Sequence, residues 1–262
     1  MKTIAVIQAR MGSTRFPGKV LIPLYNGKCS IEIIAEKLKQ VKGIDEIVIA
    51  TSENPIDDKI IQFCKSKGYK TFRGSEDNVL ERVVKAIKHY ENILNIVDGE
   101  IVGDEYYDLT VELTADCPFF DPSLAEKAIA MLDTIIDLDY VSNTITRSWF
   151  DGADVQVYRT NIIKKISEGL ADEAITEHVG WNILNLADNY SIVNFPASKR
   201  YFRPNLRLTL DYPEDGQVIS HIMQIAGSEN VSIPEIYRIV DANPWLLDIN
   251  GQRTSKVPGV IE

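Results

Sequence analysis

The chain has 262 residues, 45% of them apolar and 25% charged, the balance of a globular protein long enough to bury one large core. Its formal net charge of −10 excludes a general nucleic-acid binder, which needs a basic face, but leaves room for a local cluster of cations around a small anion. Cys29, Cys64 and Cys117 form neither a disulfide framework nor a CxxC metal pattern, and no apolar run approaches the roughly 18 residues that cross a bilayer, so a soluble cytoplasmic protein is expected.

Residues 3–8, TIAVIQ, read as a buried strand, followed by a loop over 9–18 broken by Gly12, Pro17 and Gly18. Ile31, Ile34, Ala35, Leu38 and Val41 have helical spacing and predict a helix over 30–41, with Ser30 as N-cap. DEIVIA (45–50) predicts a second strand, 57–67 a helix stopped by Gly68, 69–72 a third strand, and 78–94 a helix with Val79, Val83, Ile87 and Tyr90 on one face. The polar stretch 98–107 reads as a surface loop, 109–113 as a strand and 122–136 as a helix. From 140 to 202 the composition changes, with Trp149, Phe150 and Gly152 and a helix near 161–166, and this stretch reads as an inserted lid or dimerisation arm. The sheet is expected to resume with a strand over 205–210, before a helix opened by DYPED at 211–215. A tail over 244–262 carries Trp245 and several basic residues.

Strands alternating with helices through short links predict an α/β fold: a Rossmann-like nucleotide-binding three-layer sandwich, its sheet mostly parallel, within a single domain over 1–262. Ligands of such sheets sit at the carboxyl ends of the strands, which points to the loops after Gln8, Ala50 and Thr114.

The loop after the first strand packs Arg10, Arg15 and Lys19 into ten residues, with Gly12 and Gly18 to let a ligand approach the backbone. Three cations on one loop suit a nucleotide triphosphate, Arg as a bidentate donor and Lys as a point charge. The plain alternative is a solvated loop with scattered charges. The spacing fits neither the Walker loop nor GxGxxG. A triphosphate implies Mg2+ and therefore carboxylates, for which Asp116 and Asp211 are candidates. Read in isolation, each is equally an ordinary aspartate before a turn.

IQARMGSTRFPGKVL (7–21) resembles the opening motif of the cytidylyltransferases that make CMP-activated sugar acids, among them the CMP-Kdo and CMP-acylneuraminate synthetases, and is most similar to the SpsF spore-coat polysaccharide branch. TADCPFFDP (114–122), LTLDYPEDGQVI (208–219), RGSEDNVLER (73–82), ATS (50–52), FDGADVQ (150–156) and EHV (177–179) resemble further elements of that family, and the likeness spans about 2–220. The resemblance implies a CTP- and Mg2+-dependent enzyme that transfers CMP to a sugar acid with release of pyrophosphate, acting as a homodimer without nucleic acid or membrane insertion. It implies that Ala9, Arg10, Met11, Gly12, Ser13, Arg15, Lys19, Thr51, Arg73 and Ser75 surround the nucleotide, and that Asp116 and Asp211 hold the metal. Arg10, Lys19, Asp116 and Asp211 would then carry the catalysis, and Asp154, His178 and Arg207 would meet the acceptor. His178 also reads as a structural residue, and Arg82 as an ordinary helix ion pair. Asp215 is expected to orient the helix that it opens.

The chain departs from the branch at three places: Gln156 stands where Glu is usual, so a charge is missing, Glu112 stands where Arg is frequent, and the segment 100–107 is longer than usual; the last two changes would alter the choice of acceptor while leaving CTP chemistry intact. Two competing readings remain. A glycosyltransferase would use a similar architecture but needs a DxD motif, whereas Asp211 and Asp215 have the wrong spacing. A non-catalytic nucleotide-binding module would not need Arg10, Lys19, Asp116 and Asp211 together.

Overall fold

The computed structural model describes residues 1–94, 96–97, 100–101, 106–169 and 179–251. The elements follow in chain order as β1 (Thr3–Gln8), β2 (Pro23–Tyr25), β3 (Lys28–Cys29), α1 (Ser30–Leu38), β4 (Glu46–Ser52), α2 (Asp58–Lys67), β5 (Lys70–Gly74) and α3 (Val79–Leu94). Next come β6 (Ile96–Val97), β7 (Glu100–Ile101), β8 (Leu109–Thr114), α4 (Pro122–Thr134), β9 (Tyr140–Ser142), β10 (Gln156–Arg159), α5 (Thr160–Gly169) and α6 (Val179–Asn185). The chain closes with β11 (Ile192–Asn194), α7 (Pro213–Ala226), α8 (Ile233–Ala242) and α9 (Trp245–Asn250).

Seven strands form the main sheet in the order β11-β9-β10-β8-β1-β4-β5. β8, β1, β4 and β5 are mutually parallel, β10 runs against both of its neighbours, and β11 pairs parallel with β9. The central strands are buried on both faces. From β1, Ala5 and Ile7 face a core that includes residues of α1, α2, α4, α7 and α8, while Ile4 and Val6 face a second core with α3, α5 and α6. Each fully buried aliphatic side chain contributes about 1.5–3 kcal/mol, which is why an uninterrupted run such as TIAVI specifies a central strand. This is the expected α/β sandwich. Among the described residues no helix is long and apolar enough to cross a membrane.

Two expectations change. The interval 140–202, expected as an inserted arm, supplies β9, β10 and β11 to the main sheet, because Tyr140, Val141 and Val157 are buried in its cores. The stretch 205–210 is not a strand of the sheet: only an isolated bridge joins Arg207 to Asp151. Its alternation is real, with Leu206, Leu208 and Leu210 in the core, but its backbone partners are loops. Leu208 N–H donates to Asp151 O at 2.7 Å and Leu210 N–H to Asp116 O at 2.8 Å. Gly152, at φ +114°, lets this segment pass, since a Cβ there would lie 2.7 Å from Leu208 O. At the chain's end, Leu246 of α9 is buried in the core shared with α7, and residues 252–262 lie outside the described ones.

Candidate active site

The loop after β1 is folded on itself. Met11 O accepts from the N–H groups of Ser13 at 2.9 Å and Gly18 at 3.0 Å, and Gly18 takes the left-handed conformation at φ +75°. Asp57, buried at the start of α2, anchors the loop. Its Oδ1 accepts from Met11 N–H at 2.7 Å, and its Oδ2 accepts from Thr51 Oγ1 at 2.9 Å, Ser52 N–H at 3.1 Å and Ser52 Oγ at 2.5 Å. One carboxylate therefore ties the anion loop to the end of β4. Past Gly18 a short 3-10 turn, Lys19–Leu21, sends Lys19 under the loop.

Lys19 is where the two distant aspartates meet. Its Nζ lies 2.8 Å from Asp116 Oδ2 and 2.9 Å from Asp211 Oδ1. Burial pulls the Lys19 ammonium down, but Asp116 and Asp211 outweigh it and raise it above the ordinary value. Burial likewise pushes Asp116 up, and Lys19 reverses this, holding the carboxylate below its usual range. Arg15 Nη2 is 2.9 Å from Asp211 Oδ1, and its guanidinium lies 4.9 Å from the centre of the Tyr212 ring. Arg207 Nη2 reaches Asp211 Oδ2 at 3.1 Å and Asp215 Oδ2 at 2.8 Å. Arg207 Nη1 stands 3.6 Å from Asp151, which in turn lies 3.3 Å from Arg147. Arg147 holds Asp154 in a fork of 2.9 and 3.1 Å.

Both aspartates are braced from behind. Lys37 of α1 is buried and donates to the carbonyls of Pro118 at 2.9 Å and Phe120 at 3.2 Å, fixing the turn after Asp116; burial brings its ammonium down to about 8. Asp215, fully buried at the third position of α7, accepts from Asp211 N–H at 3.0 Å, Tyr212 N–H at 2.9 Å and Asn250 Nδ2 at 3.0 Å besides Arg207. It orients α7 and with it Asp211.

Arg15, Lys19, Asp116 and Asp211 are therefore brought into one cluster. Arg10 is exposed on the α3 side of the loop, near Arg82. Ser13 Oγ accepts weakly from Phe16 N–H at 3.4 Å, and Gly12 is exposed. Ala9 is buried, with its N–H on Ala50 O at 3.1 Å. Three of the expected site residues have their side chains engaged by the protein itself. Thr51 is wholly buried with its hydroxyl on Asp57. Arg73 is taken up by the carbonyls of Ser52 and Asn54, each at 3.0 Å, and by Asp58 at 2.5 Å. Arg207, expected to meet an acceptor carboxylate, is buried among aspartates because its segment threads between two loops. Ser75 Oγ caps the turn into α3, accepting from Asn78 N–H at 3.0 Å. His178 lies outside the described residues.

Sequence reasoning missed Asp57, Lys37 and Arg147, none of which stands in a family motif quoted above. It also offered an ordinary helix ion pair as one reading of Arg82. The structure buries Arg82, with Nη1 on Ser75 O at 2.7 Å, and burial followed by the charge of Arg10 holds it below the ordinary guanidinium value.

A cytidylyltransferase family model matches residues 4–176, which carry the anion loop, the anchor at Asp57 and Asp116. The chain belongs to the cytidylyltransferase family. This cytidylyltransferase is 35% identical over 246 residues to the spore coat polysaccharide biosynthesis protein SpsF of Bacillus subtilis, covering 91% of this chain and 94% of that one. It is 34% identical over 135 residues to the 8-amino-3,8-dideoxy-manno-octulosonate cytidylyltransferase of Shewanella frigidimarina, a match covering 51% of this chain and 48% of that one. A solved cytidylyltransferase structure from Leptospira borgpetersenii superposes with a TM-score of 0.83 at 25% identity, over 97% of this chain and 99% of that one. The chemistry of this cytidylyltransferase is nucleotidyl transfer, and its cations and carboxylates meet at the strand ends where such folds hold their nucleotide.

Proposed function

We propose that the protein transfers CMP from CTP to a hydroxyl of a small sugar acid, with release of pyrophosphate, in the synthesis of a surface polysaccharide. The observation that carries this reading is the convergence of Asp116 and Asp211 on the Lys19 ammonium, beneath a loop that also bears Arg10 and Arg15. The relatives support the acceptor class: one is named for an octulosonate, another for a coat polysaccharide.

Magnesium is the cofactor we assign, with Asp116 and Asp211 as its protein ligands. The residues fit it: a hard cation takes carboxylate oxygens beside phosphate oxygens, and these two carboxylates already gather around one positive centre. When bound, the metal neutralises triphosphate charge and polarises the phosphate oxygens. Lys19 and Arg15, which hold the aspartates, are the cations assigned to the phosphates and to the charge that develops on the leaving pyrophosphate. The acceptor oxygen attacks the α-phosphorus in line. The new O–P bond forms as the bond to the β-phosphate oxygen breaks, and no protein nucleophile is required.

Pyrophosphate release tests this with CTP, UTP, ATP and GTP against a panel of sugar acids. Turnover is expected with CTP alone and is abolished by EDTA. Equal turnover with UTP overturns the base assignment, and full activity in EDTA overturns the metal. Resemblance to the family adds a cytoplasmic homodimer to the proposal, with the partner contact in 140–202; light scattering that gives the monomer mass at micromolar concentration overturns the dimer.

A further inference from the structure

A buried polar cluster on the α3 side of the sheet takes no part in the transfer described above. Glu112 stands in β8, two residues before the strand ends, and is only 3% exposed. Its Oε1 accepts from the Gln8 amide nitrogen at 2.5 Å and its Oε2 from the Tyr158 hydroxyl at 3.1 Å. Gln156, the register partner of Glu112 in β10, accepts at Oε1 from the Tyr140 hydroxyl at 2.5 Å. Gly180 of α6 presses on this pair: a Cβ there would lie 2.0 Å from Gln156 Oε1 and 2.6 Å from the Tyr140 hydroxyl.

These bonds decide which end of each amide is left over. A carboxylate only accepts, so Glu112 holds Gln8 by its nitrogen. At Gln156 the oxygen is taken by the Tyr140 hydroxyl, which donates to it. The Gln8 carbonyl oxygen and the Gln156 amide nitrogen remain, on half-buried residues of the strands either side of β8, and neither has a partner among the described residues. Gln8 is the residue from which the anion loop departs, so its carbonyl oxygen lies at the base of that loop, while Gln156 stands across β8, level with Glu112. A hydroxyl both donates and accepts and so can pair with either group; a carboxylate fails at Gln8 and an ammonium at Gln156.

On the reading of this protein as a cytidylyltransferase for a sugar acid, we propose that Glu112 is a specificity-determining residue. With Tyr140 it fixes the amides of Gln8 and Gln156 as a wall that reads the hydroxyls of the acceptor's polyol chain. Burial supports a titration of this wall. It pushes the Glu112 carboxyl up to about 7, against hydrogen bonds from Tyr158 and Gln8 and the charge of Arg82 on α3. Tyr140 faces it from β9, Arg10 lies beyond Arg82, and α6 brings Gly180 against the cluster. Below that pH the protonated carboxyl also donates and no longer dictates how Gln8 turns.

Glu112→Gln and Gln156→Leu test the wall by pyrophosphate release from CTP, with 3-deoxy-manno-octulosonate and N-acetylneuraminate as probe acceptors. Both variants are expected to raise the acceptor KM about tenfold or more, from lost hydrogen bonds to the substrate, while the CTP KM stays within about twofold. In the wild type the acceptor KM climbs as pH falls through about 7, and in Glu112→Gln it is flat. If Glu112→Gln fails to fold, Gln156→Leu and the wild-type pH profile decide the matter. An acceptor KM unmoved by substitution and by pH, or a CTP KM that rises in step with it, overturns the wall alone. A wild type that releases no pyrophosphate from CTP with either probe overturns the transfer reading and the wall with it.

Discussion

Asp116→Asn is expected to lower kcat for pyrophosphate release by about three orders of magnitude, while the melting temperature stays within a few degrees of the wild type; this follows from the proposed role of Asp116 as a metal-holding carboxylate at the reacting phosphates. Asparagine keeps the shape and one acceptor oxygen for Lys19, 2.8 Å away in the wild type, and Lys19 retains Asp211 at 2.9 Å. The turn itself is held by other groups: Lys37 on Pro118 O and Phe120 O, and Ser30 Oγ on Ala115 O at 2.5 Å. Fold and charge are therefore separable at this position. Steady-state kinetics with CTP and a turned-over sugar acid, beside a thermal melt, make the measurement. An unchanged kcat removes Asp116 from the chemistry, and a collapsed melt shows that its role is structural.

Asp215→Ala has the largest expected effect on stability, a loss of about 3–5 kcal/mol, because a buried charged partner is removed from a buried cation. Asp215 is 0% exposed and its two oxygens accept from Arg207, Asp211 N–H, Tyr212 N–H and Asn250. Alanine leaves Arg207 with Asp211 and the more distant Asp151, and leaves the first turn of α7 without its cap. For a chain of this size the melting temperature drops by roughly 10 °C or more. Urea unfolding with an unchanged m-value checks it. Glu235→Ala, which removes only an exposed pair with Arg238, is the control and is expected to shift stability by less than about 0.5 kcal/mol. A shift at Asp215 no larger than the control's defeats the argument.

How far the sequence could be read depended on whether a signal was local. β1 was legible because IAVI, residues 4–7, is an unbroken apolar run, and the end of α2 because a glycine, Gly68, stands at its C-cap, where it takes φ +72°. Glu112 stood out only as a departure from the Arg that is frequent there in the branch. That its charge is buried and answered by Gln8 and Tyr158 follows from pairings across 104 and 46 residues. Asp57 offered still less, since it reads as the ordinary first residue of the 57–67 helix, and its link to Met11 spans 46 residues. β9 and β11, three residues each, are too short for periodicity to register.

By itself, the sequence determined the alternation of strands and helices and the cation-rich loop, because hydrophobic periodicity and turn chemistry act between near neighbours; which aspartates belong with that loop was implied only by the resemblance to the family. Only the tertiary structure decided that 205–210 runs beside loops rather than in the sheet, that Arg207 is enclosed by aspartates, and that Lys19 is where Asp116 and Asp211 meet. Those outcomes depend on which buried backbone and charged groups find partners once the chain is compact, and no window of neighbouring residues contains that information.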